Sequence, residues 1–304
     1  MSILVSSLSA QQQRDLAVAW MNRGHELMVR GGHESLSAAL EAYNEAIARL
    51  RPLVLSGEPV DAAWATSLAA ALMNRGHLLH HLHGVEQAAL AFAAFDEAAA
   101  ILRPLVEMTA KANSPIPWPS RNLAGTLLNR ANLLLDLGRS ADAAAVAREA
   151  LALASPRERT ELVDADLSLK TRRALCDAIG RLVVTPGADQ NALANEASDL
   201  VDDALAVARE WAGRETVFTP LALRFFHYGA QLYRLHQPHF LAEFIRENLA
   251  FGDQDMRAIA LEAIDAALAD RPRDQPFLTV GDANSERHVN TARELRELRA
   301  SLVG

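Results

Sequence analysis

The pentapeptide Met-Asn-Arg-Gly-His occurs at residues 21–25 and again at 73–77, and a looser copy, Leu-Asn-Arg-Ala-Asn, occupies 128–132. Aligned on Asn22, Asn74 and Asn129, the copies are 52 and 55 residues apart. A second set of residues keeps step with the first: Ala39-x3-Tyr43-x2-Ala46, Ala91-x3-Phe95-x2-Ala98 and Ala143-x3-Ala147-x2-Ala150. Pro52, Pro104 and Pro156 then stand where each hairpin is expected to close. Self-similarity on this scale points to a row of units, each unable to bury its apolar face without a neighbour, rather than to one central core.

The units are helical. Apolar residues recur at helical spacing from about residue 9 to 250, broken where Gly and Pro gather. The spacing predicts helices near 9–30 and 34–51, 60–82 and 85–103, and 119–137 and 139–154, which are three hairpins in a row. Half of the residues are hydrophobic, led by Ala and Leu, with 5% aromatics and few β-branched runs, so the expected class is all-α. Helices near 158–184 and 189–213 form a degenerate fourth unit, and His227, Gly229 and Leu232 repeat the order of Asn22, Gly24 and Leu27.

In these residues the chain resembles the tetratricopeptide repeat (TPR) family, whose first helix carries Trp, Leu-Gly and Tyr and whose second carries Ala, Phe and Pro. The first copy reads Trp20-x2-Arg23-Gly24-x2-Leu27, then Ala39, Tyr43 and Pro52. The period is longer than the family's, and Arg stands where the family has Leu. The resemblance covers about 18–156 clearly and fades from 157 to 250. It implies a TPR-like α-solenoid of stacked antiparallel hairpins over 1–250, closed by a C-terminal helical cap over 251–304. It also implies binding of a protein partner's peptide or helix in a concave groove lined by the first helices.

The recurring Arg23, Arg75 and Arg130 and Glu45, Glu97 and Glu149 read as ties between the two helices of each hairpin, because a residue kept in every unit is most simply part of the unit. The recurring Asn22, Asn74 and Asn129 need hydrogen bonds that a helix does not supply. Either a neighbouring repeat provides them, or the groove offers these amides to a ligand. Variable positions beside them, His25, His77, His81 and Asn132, complete the candidate peptide-binding set. His77 and His81 are one turn apart, workable metal spacing, but no paired Cys, HExxH or adjacent carboxylate completes a site, so neither metal nor cofactor is expected. Histidines close together also suit a pH-responsive interface. The pairs Asp164 and Asp166, and Asp202 and Asp203, read as solvated helix-end charges.

The formal net charge of −8 argues against a nucleic-acid binder. A single cysteine, Cys176, in an apolar helical context fits a cytoplasmic protein. The first fifteen residues lack a signal-peptide pattern, and no stretch is long enough to span a membrane. Dinucleotide, P-loop, nucleophile-elbow and kinase motifs are missing, so the expectation is a binding module and not an enzyme. A ligand-responsive repeat regulator is the alternative, with a metal-dependent enzyme behind it. Ala-rich repeats can also pack on copies of themselves, which leaves a homo-oligomer open. Trp118 and Phe277, in irregular linkers, are expected to be covered by the stack.

Overall fold

The computed structural model describes residues 8–56, 61–112, 116–212, 219–236, 239–249, 254–269 and 283–303. Among them there are twelve α-helices and no strand. The chain divides into two compact units, Met1–Arg157 and Glu158–Gly304. The sequence-based partition, an array to residue 250 and a cap beyond it, is a separate proposal about repeat content. Phe277 lies outside the described residues.

The first unit holds three hairpins: α1 (Ala10–Arg30) with α2 (His33–Ser56), α3 (Ala62–His83) with α4 (Ala88–Lys111), and α5 (Trp118–Asp136) with α6 (Ser140–Ala154). Local chemistry sets several of the ends. Ser9 and Gln12 form a reciprocal capping box on α1, and Asp61 accepts from the backbone of Ala63 and Trp64 to start α3. The three hairpins reverse at Gly31, Gly84 and Gly138, whose φ values of 68°, 54° and 72° are costly for a residue with a Cβ.

Pro52 and Pro104 do not close their hairpins. Both lie inside helices, α2 running on to Ser56 and α4 to Lys111. Burial explains the overrun. Val54 and Leu105, beyond the prolines, join the apolar core, which offsets the backbone hydrogen bond each proline removes. Only Pro156 follows the end of its helix, in a 3-10 turn over Ser155–Arg157.

Each of the first two hairpins is keyed by a glycine against an aromatic ring. A Cβ on Gly24 would lie 2.9 Å from the ring of Tyr43, and one on Gly76 would lie 2.5 Å from the ring of Phe95. Both rings are buried. The third hairpin carries Ala131 and Ala147 at the matching positions, both fully buried, a smaller pair filling the same close approach.

The recurring arginines tie neighbouring hairpins, not the two helices of one hairpin. Arg75 Nε donates to Asn44 Oδ1 at 2.8 Å, and Arg130 Nε lies 3.2 Å from Asp96 Oδ1, in each case joining a first helix to the preceding second helix. Arg23 rests 5.7 Å from the centre of the Trp20 ring instead. The recurring glutamates form a parallel ladder between second helices. Arg51 chelates Glu97 at 3.0 and 2.7 Å, and Arg103 chelates Glu149 in the same way, whereas Glu45 pairs with Arg49 in its own helix.

Asn44 and Arg51, and Asp96 and Arg103, share one spacing: an acceptor for the next first helix, then an arginine seven residues on for the next second helix. Being partly exposed, each pair contributes only about 0.2–1 kcal/mol, so the ladders fix register more than stability. The first hairpin is the polar end of this array. Leu16 is 38% exposed where its counterparts Leu68 and Leu123 are 1% and 3%, and Glu26 stands at the position of the fully buried Leu78 and Leu133. A stacked array requires such an end.

The second unit comprises α7 (Leu162–Val183), α8 (Gln190–Ala212), α9 (Thr219–His236), α10 (Leu241–Leu249), α11 (Gln254–Ala269) and α12 (Ala283–Val303). The glycine key returns: a Cβ on Gly229 of α9 would lie 2.3 Å from Phe244 of α10 and 2.9 Å from Val201 of α8. The seven-residue spacing returns too, with Tyr233 donating to Asp202 at 3.1 Å and Arg209 donating to Asn248 at 3.1 Å. After α4, the two positions are Arg148 in α6 and Ser155 just beyond its end.

At the start of the second unit a buried ion pair anchors α7. Arg172 chelates Glu158 at 2.6 and 3.0 Å, the side chains being 4% and 9% exposed, and Trp211 Nε1 donates to the Glu158 carbonyl at 2.7 Å. The aspartates are not uniformly solvated. Asp164 is fully buried in the first turn of α7, and Asp202 is held above the usual carboxylate range, chiefly by its partial burial, against the hydrogen bond from Tyr233 that lowers it.

Candidate functional site

On the first helices of the first unit, packing leaves a solvent-facing stripe with the spacing of one helix face. In α3 it is formed by Ala70, Asn74, His77 and His81, of which only His81 is exposed and the rest half-buried. In α5 it is Gly125, Asn129, Asn132 and the exposed Asp136. In α1 it is Val18, Asn22, His25 and Val29, all exposed. The positions match residue for residue, so the seven residues singled out in the sequence fall on equivalent stripes.

The stripes of α3 and α5 run side by side. A Cβ on Gly125 would stand 3.2 Å from Met73 Sδ, so the absence of a side chain there lets the two helices meet. His80 Nε2 and Asp136 Oδ2 are 2.7 Å apart and bridge the same two helices one end further on. His77 and His81 stack with ring centres 6.1 Å apart and planes 11° from parallel. Burial first, and the neighbouring His81 and His80 second, hold His77 below the ordinary imidazole range.

The three recurring asparagines have three different environments. The hydroxyl of Tyr43 in the preceding hairpin donates to Met28 Sδ at 3.5 Å and lies close enough to the Asn74 amide to be stabilised by it. Burial pushes the Tyr43 phenol up, so it stays protonated and can donate. One hairpin along, the residue matching Tyr43 is Phe95, which has no hydroxyl to offer Asn129. Among the described residues neither Asn129 nor Asn132 has a side-chain hydrogen-bond partner, and the same holds for the exposed Asn22 and His25. The approach of Asn74 to Tyr43 is the neighbouring-repeat alternative for the recurring asparagines. The bridge from His80 to Asp136 has no sequence signal beyond the fact that His80 occupies a position held by Met28 and Leu135 in the other hairpins.

No metal centre takes shape: among the described residues no three His, Cys, Asp or Glu side chains gather as they would around an ion. Cys176 is buried, and burial raises its thiol to about 12, which leaves it un-ionised at neutral pH. No helix of the described residues is long and apolar enough to cross a membrane. Trp118 is less covered than expected, 58% exposed beside an apolar hollow of about 670 Å³, with Arg121 5.4 Å from its ring centre.

The chain is an all-α helical-repeat protein. No family model matches its sequence, and no curated protein does either. Solved structures similar to it include the hypoxic regulator of sterol synthesis Nro1, a nuclear import adaptor, at 10% identity over 94% of this chain and 93% of that one, with a TM-score of 0.38. A circular tandem repeat protein matches at 14% identity over 97% of this chain and 69% of its own, with a TM-score of 0.39. The TPR domain of P58(IPK) matches at 14% identity over 94% and 98%, with a TM-score of 0.15.

Proposed function

We propose that this protein is a non-enzymatic, TPR-like scaffold that binds a peptide or helix of a partner protein along the first helices of its first unit. One observation carries the reading: Asn129 and Asn132 are half-buried, lie on one face, and have amides unspent on the described protein. Both amides remain open to solvent, and a ligand backbone, with its alternating donors and acceptors, is their natural complement. His77 and His81 extend that face on α3, and Asn22 and His25 extend it on α1. Asn74 belongs to the same face, beside the Tyr43 hydroxyl. In this reading the partner is a protein rather than nucleic acid, given the net charge of −8, and the setting is the cytoplasm. The array runs to about residue 250, with 251–304 as its cap.

The test uses a photo-crosslinker at Asn132 and, as a control, at the exposed Ala100 of α4. A peptide captured only from position 132 is synthesised and titrated against wild type and against a variant with Ala at His77, Asn129 and Asn132. Loss of roughly tenfold or more in affinity, with helicity unchanged, is expected, since each lost ligand hydrogen bond is worth about 0.5–1.5 kcal/mol. Equal capture at both positions, or unchanged affinity, refutes the reading.

A further inference from the structure

Among the described residues the glycines inside helices are Gly24, Gly76, Gly125, Gly180 and Gly229. All but one are met by a side chain. A Cβ would stand 2.9 Å from Tyr43 at Gly24, 2.5 Å from Phe95 at Gly76, 3.2 Å from Met73 Sδ at Gly125 and 2.3 Å from Phe244 at Gly229. Gly24, Gly76 and Gly229 thus each admit an aromatic ring. Gly180 of α7 differs: among the described residues the atom nearest to a Cβ there is the Tyr228 hydroxyl, at 3.9 Å, an ordinary contact distance. Alanine would fit and would favour the helix, so packing within the chain gives no reason for a glycine at this position.

Gly180 keeps one wall of an apolar hollow low. The hollow, of about 450 Å³, lies between α7, α8 and α9 within the second unit, inside the range of about 300–1,000 Å³ typical of binding pockets. Ile179, Ala194 and Ala197 are buried at its floor, and Val184 and Leu235, 76% and 60% exposed, stand at its rim. No charged side chain lines it among the described residues. The Tyr228 hydroxyl is spent on Asp177, to which it donates at 2.6 Å. A charged occupant would therefore lose its water with nothing to replace it. Gln190 and Gln231 supply two primary amides to the lining. Gln231 Oε1 accepts from Arg234 Nε at 3.0 Å, which leaves its NH2 group unspent, and among the described residues the Gln190 side chain has no hydrogen-bond partner.

We propose that this hollow seats an aromatic side chain of a partner polypeptide, with Gly180 admitting the ring as Gly24, Gly76 and Gly229 admit theirs, and with Gln190 and Gln231 pairing with the peptide backbone beside it. An aromatic ring is the group this chain itself sets against such glycines. A peptide unit offers the donor and the acceptor that primary amides match, and a ring anchored in an apolar pocket is a common centre of binding energy between proteins. The site lies in the second unit and does not rest on the binding face of the first.

The test follows amide chemical shifts of the isotopically labelled full chain during titration with N-acetyl-tryptophanamide, N-acetyl-leucinamide and indole. The tryptophan amide is expected to shift amides 176–184 and 228–235 and to bind roughly threefold or more tighter than the leucine amide. Indole, which has the ring without the peptide groups, is expected to bind roughly threefold or more weaker than the tryptophan amide, and Gln190→Ala/Gln231→Ala should close that gap. Gly180→Phe, checked for wild-type helicity, supplies a ring in cis and should lose roughly tenfold or more of the affinity, while Gly180→Ala should raise the midpoint of urea unfolding. Absence of shifts at these amides in wild type, equal binding of the leucine amide, or full binding by Gly180→Phe overturns the proposal. Indole binding as well as the tryptophan amide overturns the polypeptide source and assigns the hollow to a free aromatic molecule. A lowered midpoint in Gly180→Ala shows that the fold itself requires the glycine and removes the premise.

Discussion

Substituting Gly76 with Ala separates two opposed effects. In a helix interior the change is favourable by about 0.5–1 kcal/mol, because glycine loses more backbone freedom on folding. Here the new Cβ would stand 2.5, 2.8 and 3.0 Å from three atoms of the Phe95 ring. That ring is fully buried, in a cluster with Leu79, Ala91 and Leu133, so it cannot swing aside without disturbing them. Overpacking of this kind costs about 1–3 kcal/mol, and with three ring atoms in conflict the upper part of that range applies. The net expectation is a loss of about 1–2 kcal/mol. Urea unfolding followed by circular dichroism reads it as a lower midpoint at unchanged slope. Gly24→Ala, whose Cβ meets the Tyr43 ring no closer than 2.9 Å, should lose less. In a double-mutant cycle, Phe95→Leu removes the conflicting atoms, so Gly76→Ala should cost at least about 1 kcal/mol less in that background. A Gly76→Ala variant as stable as wild type, or more so, would show that helix propensity wins and refute the keyed packing.

Two further outcomes follow from buried ionisable groups. Arg172→Met leaves Glu158 in an almost fully buried site without its bidentate partner and should destabilise the protein by about 3–5 kcal/mol; adding Glu158→Gln should restore part of the loss, and a single variant within about 1 kcal/mol of wild type would show the pair is solvated. His77, whose imidazole is depressed in the fold, binds its proton less readily when folded than when unfolded. Its contribution is therefore intact above the ordinary histidine value near 6.5 and is lost as pH falls from there toward its folded pKa. Midpoints measured from pH 8 to 5 should fall across that window, and His77→Gln should flatten the fall; an identical profile in the variant would assign the acid sensitivity elsewhere.

The hairpin order was legible because helical period, hairpin glycines and the repeated asparagines all agree, and the match of Gly229 to Gly24 held even where little else repeats, since both glycines admit an aromatic ring. The proline stops were not legible. Whether a helix ends at Pro52 depends on what Val54 touches two residues later, and that is a tertiary fact. The arginine ties show the same limit. A residue repeated in every hairpin looks alike whether its partner lies within the hairpin or one hairpin back, because both partners repeat with it. Only at the array's polar end do the two cases differ: Arg23 turns to Trp20, and Glu45 to Arg49.

The same reasoning bears on where function lies in an array. Residues that repeat together with their partners, such as Arg75 with Asn44 and Gly76 with Phe95, are consumed by the repeat. A residue that repeats while its partner changes is released from it. Asn129 is that case: the hydroxyl beside Asn74 belongs to Tyr43, and the matching residue one hairpin along is Phe95. A change of one oxygen atom between two otherwise equivalent buried rings frees an amide on the solvent-facing stripe, beside positions where His25, His77 and Asn132 already differ from hairpin to hairpin. Returning the hydroxyl, by Phe95→Tyr, should place it beside Asn129 as Tyr43 places one beside Asn74, so the stripe owes its open amide to the loss of a partner rather than to the gain of a residue.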